Sequence, residues 1–185
     1  MAETPSTMLP LGTIAPNFKL CDTISNRLLS LDDLHSKTAT VVMFICNHCP
    51  YVKHIQTKLA AVAKSYQQKG IQFIAINAND ATKYLADSPE KMKLEAKAHD
   101  YTFPYLFDET QAVAKAYQAA CTPDFYVFDH NMACVYRGRF DDATPGNQNP
   151  VTGKDLTTAL DNILNGTPVD ANQKPSVGCN IKWKK

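Results

Sequence analysis

No stretch of this sequence approaches the roughly 18 uninterrupted apolar residues needed to span a bilayer as a helix, so no membrane partner is expected. No basic block is present either. The three arginines, Arg27, Arg137 and Arg139, form no stripe and the net charge is only +1, so nucleic acid is not an expected partner. Lys182, Lys184 and Lys185 make a small basic tip that reads as a solvated end. The segment from Met1 to Pro16 lacks a positive start followed by an apolar run. That argues against a secretory signal and makes the cytoplasm the expected location. There is no second C-x-x-C and no H-x-x-x-H. Zinc normally takes four ligands, commonly as two spaced pairs, so no metal is expected. Internal repeats and low-complexity segments are also missing.

What is present suits one globular domain. The chain has 185 residues, 44% apolar and 20% charged, enough to fill a core without staples. The domain is expected over residues 1–166. A polar tail over 167–185 follows, holding Pro168 and Pro175, and no regular structure is expected for it. The six cysteines are Cys21, Cys46, Cys49, Cys121, Cys134 and Cys179. An even count would fit a disulfide framework in a small secreted chain. In a larger chain without a signal most of them should be reduced thiols.

The pattern of apolar residues predicts an α/β architecture. After an extended arm to Pro16, Phe18–Leu20 and Leu28–Leu31 flank polar residues and predict a hairpin. Val41–Ile45 is a continuous apolar run, as expected of a strand buried on both faces. Val52, Ile55, Leu59, Val62 and Tyr66 recur at helical spacing up to Gly70, and a second buried strand follows at Ile71–Ile76. Ser88-Pro89-Glu90 opens an insert helix running to about His99, and Thr110 is the expected cap of a further helix. Phe125–Phe128 and Ala133–Tyr136 predict a second hairpin. Leu156, Leu160, Ile163 and Leu164 mark a last helix. This order implies a central mixed β-sheet flanked by helices, with a right-handed crossover between the two buried strands.

The chemistry concentrates in Cys46-Asn47-His48-Cys49. The motif follows a buried strand and precedes a helix, where unpaired N–H groups and the helix dipole favour an anion. Cys46 is therefore the expected nucleophile, with a lowered pKa. Cys49, about one turn on, is the expected resolving thiol. His48 is expected to stabilise the Cys46 thiolate as an imidazolium, and Pro50 suits the first helical position. The competing readings of such a motif are half of a metal site or two inert buried cysteines. Thr122-Pro123 is the second feature, placed at the start of a strand. It reads either as an ordinary trans turn proline or as a cis proline packed against the dithiol, with Thr122 offering its backbone to a substrate peptide.

The chain resembles the thioredoxin superfamily, and within it the peroxiredoxin-like members of the AhpC/TSA (redoxin) group. The resemblance is carried by Ala15–Phe18, by Phe44–Val52 around the dithiol, and by Asn77–Asp80 with Asp87–Glu90. It continues through Cys121–Asp124 and Gly178–Trp183. It implies a thioredoxin-like fold with an added N-terminal β-hairpin and a helical insert, and a cis Pro123. It also implies that Cys121 lies near Cys46, and Cys179 sits in a tail that could fold back, so both are candidate auxiliary thiols, with Cys121 reading alternatively as a small packing residue. Cys21 and Cys134 read as packing residues. The chain departs from the family pattern in three ways. The Thr or Ser that precedes a peroxidatic cysteine by three residues is replaced by Cys46 or Met43, and no arginine stands near Thr122-Pro123. The buried acid that thioredoxins carry before the dithiol is replaced by Thr40.

The expected activity is thiol–disulfide exchange, without a cofactor. The expected partners are protein or small-molecule disulfides and thiols, together with a reductant that the sequence does not name. The alternatives are a thiol peroxidase with antioxidant function, or a non-enzymatic module in which Cys46, Cys49, Cys121 and Cys179 bind a metal or a partner.

Overall fold

The computed structural model describes residues 3–185; Met1 and Ala2, at the start of the expected extended arm, lie outside the described residues. Strand β4 (Ala39–Phe44) is buried along its whole length, because both faces of the sheet are covered. Its side chains alternate between two cores. Ala39, Val41 and Met43 point to one, Val42 and Phe44 to the other. Helix α2 (Pro50–Gln67) buries Val52, Ile55, Leu59, Val62 and Tyr66, as their spacing predicts, and the chain turns at Gly70 with φ 87°. It crosses to β5 (Ile71–Asn77), which lies parallel to β4 with Ala39 opposite Ile71 and Phe44 opposite Ile76.

The other strands extend this pair to a seven-stranded sheet in the order β3-β2-β6-β5-β4-β8-β9. The hairpin β2 (Lys19–Asp22) and β3 (Leu28–Ser30) forms one edge. A short helix α1 (Leu31–Leu34) follows it, capped by Ser30. The hairpin β8 (Asp124–Phe128) and β9 (Cys134–Gly138) forms the other edge, with β8 antiparallel to β4. Strand β6 (Tyr105–Phe107) was not expected. Three residues after Pro104 carry too little pattern to read as a strand, yet they bridge β5 and β2. Helix α3 (Pro89–Ala98) starts at Ser88 as predicted. Helix α4 (Ala112–Ala116) starts one residue later than predicted. Its cap position belongs to Gln111, whose buried amide donates to the carbonyls of Ala78 and Lys182. Helix α5 (Lys154–Leu164) buries Leu156 and Leu160 beside α2 and α3, while α1 and α4 cover the opposite face.

The tail carries structure that was not expected of it. Strand β10 (Val177–Asn180) lies between β1 (Glu3–Pro5) and β7 (Cys121–Thr122), antiparallel to both, in a separate three-stranded sheet. A four-residue strand with Gly178 at its centre has no readable period; its partners, distant in sequence, stabilise it. Lys182 is not a solvated end either. It is buried, and its ammonium donates to the carbonyl and side-chain oxygens of Asn180. No helix among the described residues is long and apolar enough to cross a membrane.

Candidate active site

Strand β4 ends at Phe44 and α2 begins at Pro50, so the whole motif Cys46–Cys49 lies in the connection between them. Pro50 occupies the first helical turn as predicted, but the residue at the helix N-cap is Cys49, with extended backbone angles. This moves the electrostatic advantage expected for Cys46 onto Cys49. Cys49 is fully buried and Cys46 is 2% exposed.

The two thiols shift in opposite directions. Cys49 is lowered to about 5, first by a hydrogen bond from Cys46, then by hydrogen bonds from Cys179, the Val52 backbone in the first turn of α2, and Thr122. Cys46 is pushed well up, because it donates a hydrogen bond to Cys49, because it is buried, and because the negative charge of Asp87 is near. The expectation of a low-pKa Cys46 is therefore corrected. Of the two, Cys49 is the sulfur whose charged form is favoured, at the helix terminus that stabilises it.

Thr122 and Pro123 meet both sulfurs. The peptide bond between them is cis, as the resemblance implied. Thr122 Oγ1 is 3.4 Å from Cys46 Sγ, and the Thr122 carbonyl oxygen is 3.2 Å from Cys49 Sγ. The backbone of Thr122 was expected to be free for a substrate peptide. It is already paired, because Cys179 on β10 stands opposite it. Cys179 Sγ lies 2.9 Å from Cys49 Sγ. Cys121 is not part of this cluster. Its sulfur is 3.9 Å from the Pro123 carbonyl oxygen and within hydrogen-bonding distance of neither motif sulfur, and burial pushes its thiol far up. Cys134 is buried, but Cys21 is exposed, since alternation along β2 turns it away from the core that Leu20 meets.

His48 behaves differently from expectation. Its Nδ1 donates to Asp87 Oδ2 at 2.6 Å, and its ring stacks on Tyr84 at 5.4 Å. Asp87 is fully buried, which alone would raise its carboxyl. Donation from His48, Asn79 Nδ2 (2.9 Å) and the Asn47 backbone (2.8 Å) outweighs burial and holds it below the ordinary range. The imidazole therefore serves a carboxylate, and the carboxylate's charge acts against a thiolate at Cys46. Asn47 is fixed from both ends, donating to the Ala86 carbonyl and accepting from the Tyr105 hydroxyl. Asp87, Asn79 and Tyr84 were missed as site residues. Asp87 stands next to the Ser88-Pro89 helix start, a local signal that hides its long-range role.

Ligand atoms of Cys46, His48 and Asp87 lie within 4.8 Å of one another and are a set that could hold a metal ion. It differs from the four-cysteine set considered from the sequence. The Asp87 oxygens in it are already bonded to His48, Asn79 and Asn47, so a metal would have to displace these donors. A further buried acid, Asp124, follows Pro123. Burial pushes it up to about 7, although Tyr126 and Ser6 donate to it. It shares the sheet face of Tyr126, away from the dithiol, so it does not replace the acid missing at Thr40.

The family model described as the AhpC/TSA family matches residues 11–137, more than half of the chain. The chain belongs to the AhpC/TSA family. This AhpC/TSA member is similar over its full length to two solved structures. A conserved protein from Geobacillus kaustophilus is 56% identical with a TM-score of 0.98, covering 100% of this chain and 97% of that one. A hypothetical protein from Sinorhizobium meliloti is 46% identical with a TM-score of 0.95, covering 98% of each. The thioredoxin domain of a thiol-disulfide oxidoreductase from Bacteroides vulgatus is 17% identical with a TM-score of 0.61, covering 72% of this chain and 91% of that one. The AhpC/TSA chain thus has a thioredoxin-like fold, a mixed sheet flanked by helices. No curated protein matches it. Family and fold together support a redox role for its thiols.

Proposed function

We propose that this AhpC/TSA-family chain is a thiol–disulfide oxidoreductase whose working pair is Cys46 and Cys49. One observation carries the proposal. Two thiols one turn apart meet Thr122 beside cis Pro123, Cys46 at its hydroxyl and Cys49 at its carbonyl, and Cys49 stands at the N-terminus of α2. Cys46 retains some exposure and is the sulfur that a substrate meets first. As the substrate disulfide arrives, the Cys46 proton passes to Cys49 along the bond joining them. The Cys46 thiolate then attacks, forming a mixed disulfide and releasing one substrate thiolate. Cys49 next gives up that proton to a departing substrate thiolate and attacks Cys46, closing the protein disulfide and releasing the second substrate sulfur. His48 is a positioning residue, holding the loop through Asp87. The substrate approaches over the exposed side of His48 and Tyr84. The physiological partners are disulfides and thiols together with a separate reductant, in the cytoplasm.

A disulfide suits this site better than a peroxide. Arg137 is tied to the Leu9 carbonyl and Gln173, and Arg139 to Asp155, so neither is free to polarise an O–O bond. Turnover of a small model disulfide with dithiothreitol as reductant tests the proposal. Replacing either Cys46 or Cys49 by Ser should cost more than about 100-fold in rate. A Cys46→Ser variant that keeps the native rate would refute the assignment.

A further inference from the structure

Cys179 sits in the place of a substrate sulfur. Strand β10 lies on β7 in register, Cys179 opposite Thr122 and Asn180 opposite Cys121. This is the backbone edge beside the cis proline where a substrate peptide was expected to pair. The approach depends on Gly178, because a Cβ there would run into the carbonyl oxygen and carbon of Thr122. The result is a sulfur 2.9 Å from Cys49 Sγ, within easy closure of a disulfide, whose bond length is about 2.05 Å. Cys49 has two thiol neighbours, Cys46 and Cys179, and can bond to only one at a time.

The tail is fixed where it lies. Ser176 Oγ donates to the Gly138 carbonyl at 2.7 Å, and the Ser6 backbone donates to the Ser176 carbonyl at 2.8 Å. Beyond the strand, the Ile181 N–H reaches the Ala120 carbonyl at 3.0 Å, and the Lys182 N–H reaches Asn79 Oδ1 at 2.8 Å. Asn79 in turn donates to Asp87, so the segment that holds Cys179 is bonded to the group that holds His48. Such anchoring places the sulfur by design of the fold, not by collapse of a loose end.

From this arrangement we infer that Cys179 is a third redox thiol and that the protein has a second oxidised state, the Cys49–Cys179 disulfide. The inference rests on the reading of Cys46 and Cys49 as the working pair. The second state forms by internal exchange. Cys179 loses its proton and attacks Cys49 Sγ of the Cys46–Cys49 disulfide. The bond from Cys49 to Cys46 breaks, the bond to Cys179 forms, and Cys46 leaves as the thiolate that takes up the proton. No outside oxidant or reductant is consumed. Oxidation is thereby moved onto Cys49 and Cys179, and Cys46 is returned as a free thiol.

Mass-spectrometric disulfide mapping of thiol-blocked, unreduced protein tests this. The Cys46→Ser chain is first incubated with oxidised glutathione. The Cys49–Cys179 cross-link should outnumber the glutathione adduct at Cys49 by about tenfold or more, because a thiol already in contact outcompetes an external one. A product that remains the glutathione adduct, or that joins Cys49 to Cys121, overturns the inference. The unaltered chain equilibrated in mixed reduced and oxidised glutathione guards against misfolding of the variant. Both the Cys46–Cys49 and the Cys49–Cys179 cross-links should be found in it, and absence of the second overturns the inference. The Cys179→Ser chain separates the two readings. Closure of Cys46–Cys49 in it upholds the working pair whatever Cys46→Ser gives. Failure to close there removes the working pair and the exchange together.

Discussion

At the scale of single residues, the identity of the thiolate is decided by which sulfur stands at the N-cap. Two cysteines three positions apart look equivalent as a motif, but α2 begins at Pro50, and only Cys49 collects donors from its first turn and from two other thiols. Absorbance of the thiolate at 240 nm should therefore titrate near pH 5 in the reduced protein. An ordinary cysteine titrates near about 8.5. Cys46→Ala removes the largest lowering contact and should move the midpoint up the most; Cys179→Ala removes a smaller one and should move it less. If Cys46→Ala leaves the midpoint at 5, the hydrogen bond from Cys46 is not what lowers it. The C-x-x-C spacing and Thr122-Pro123 made the reacting groups legible in the sequence. Which sulfur carries the charge was not legible, because a shift of three residues in the helix start reverses it. Asp87 was not legible as a partner of His48 either, since 39 positions separate them.

At the scale of elements, long periodic segments were readable and short ones were not. The runs in β4 and β5 and the spacing in α2 carry their own signal, and all three lie where the pattern puts them. Strands β6, β7 and β10 are two to four residues long. Their stability comes from partners far along the chain, so local pattern says nothing of them. Strand β10 gives the sharpest case, because its position depends on one missing side chain. Gly178→Ala would set a Cβ against the Thr122 backbone, which cannot move aside without disturbing Pro123. The expected cost is about 1–3 kcal/mol, typical of an overpacked site. It should be read from the urea midpoint, with faster hydrogen exchange at the amides of Cys179 and Ile181. Gly146→Ala, whose Cβ would meet nothing closer than 3.9 Å, is the control and should leave both unchanged.

At the scale of the whole molecule, two buried acids set how stability follows pH, and they act in opposite senses. Asp124 is pushed up to about 7 by burial. Between the ordinary carboxyl range and pH 7 the folded chain keeps a proton there that the unfolded chain has lost, so Asp124 makes stability fall as pH rises. Cys49, lowered to about 5, has released its proton in the folded chain while the unfolded thiol still holds one up to about pH 8.5, so it makes stability rise. The two offset each other between pH 5 and 7. From about pH 7 to 8.5 only Cys49 remains of the pair. The raised thiols of Cys46, Cys121, Cys134 and Cys179 oppose folding once their unfolded counterparts begin to ionise, on the approach to about pH 8.5. Subtracting the stability of a Cys49→Ser chain removes these groups and Asp124 alike. The difference between the reduced protein and Cys49→Ser should thus climb between about pH 6 and 7.5 with a slope approaching about 1.4 kcal/mol per pH unit, one proton's worth. Urea unfolding of both chains at four pH values across that interval, with reductant present, measures it. The slope should be lost when the oxidised protein replaces the reduced one, since Cys49 then has no proton to exchange. A difference that is flat across that interval would mean that the charge at the start of α2 is not there.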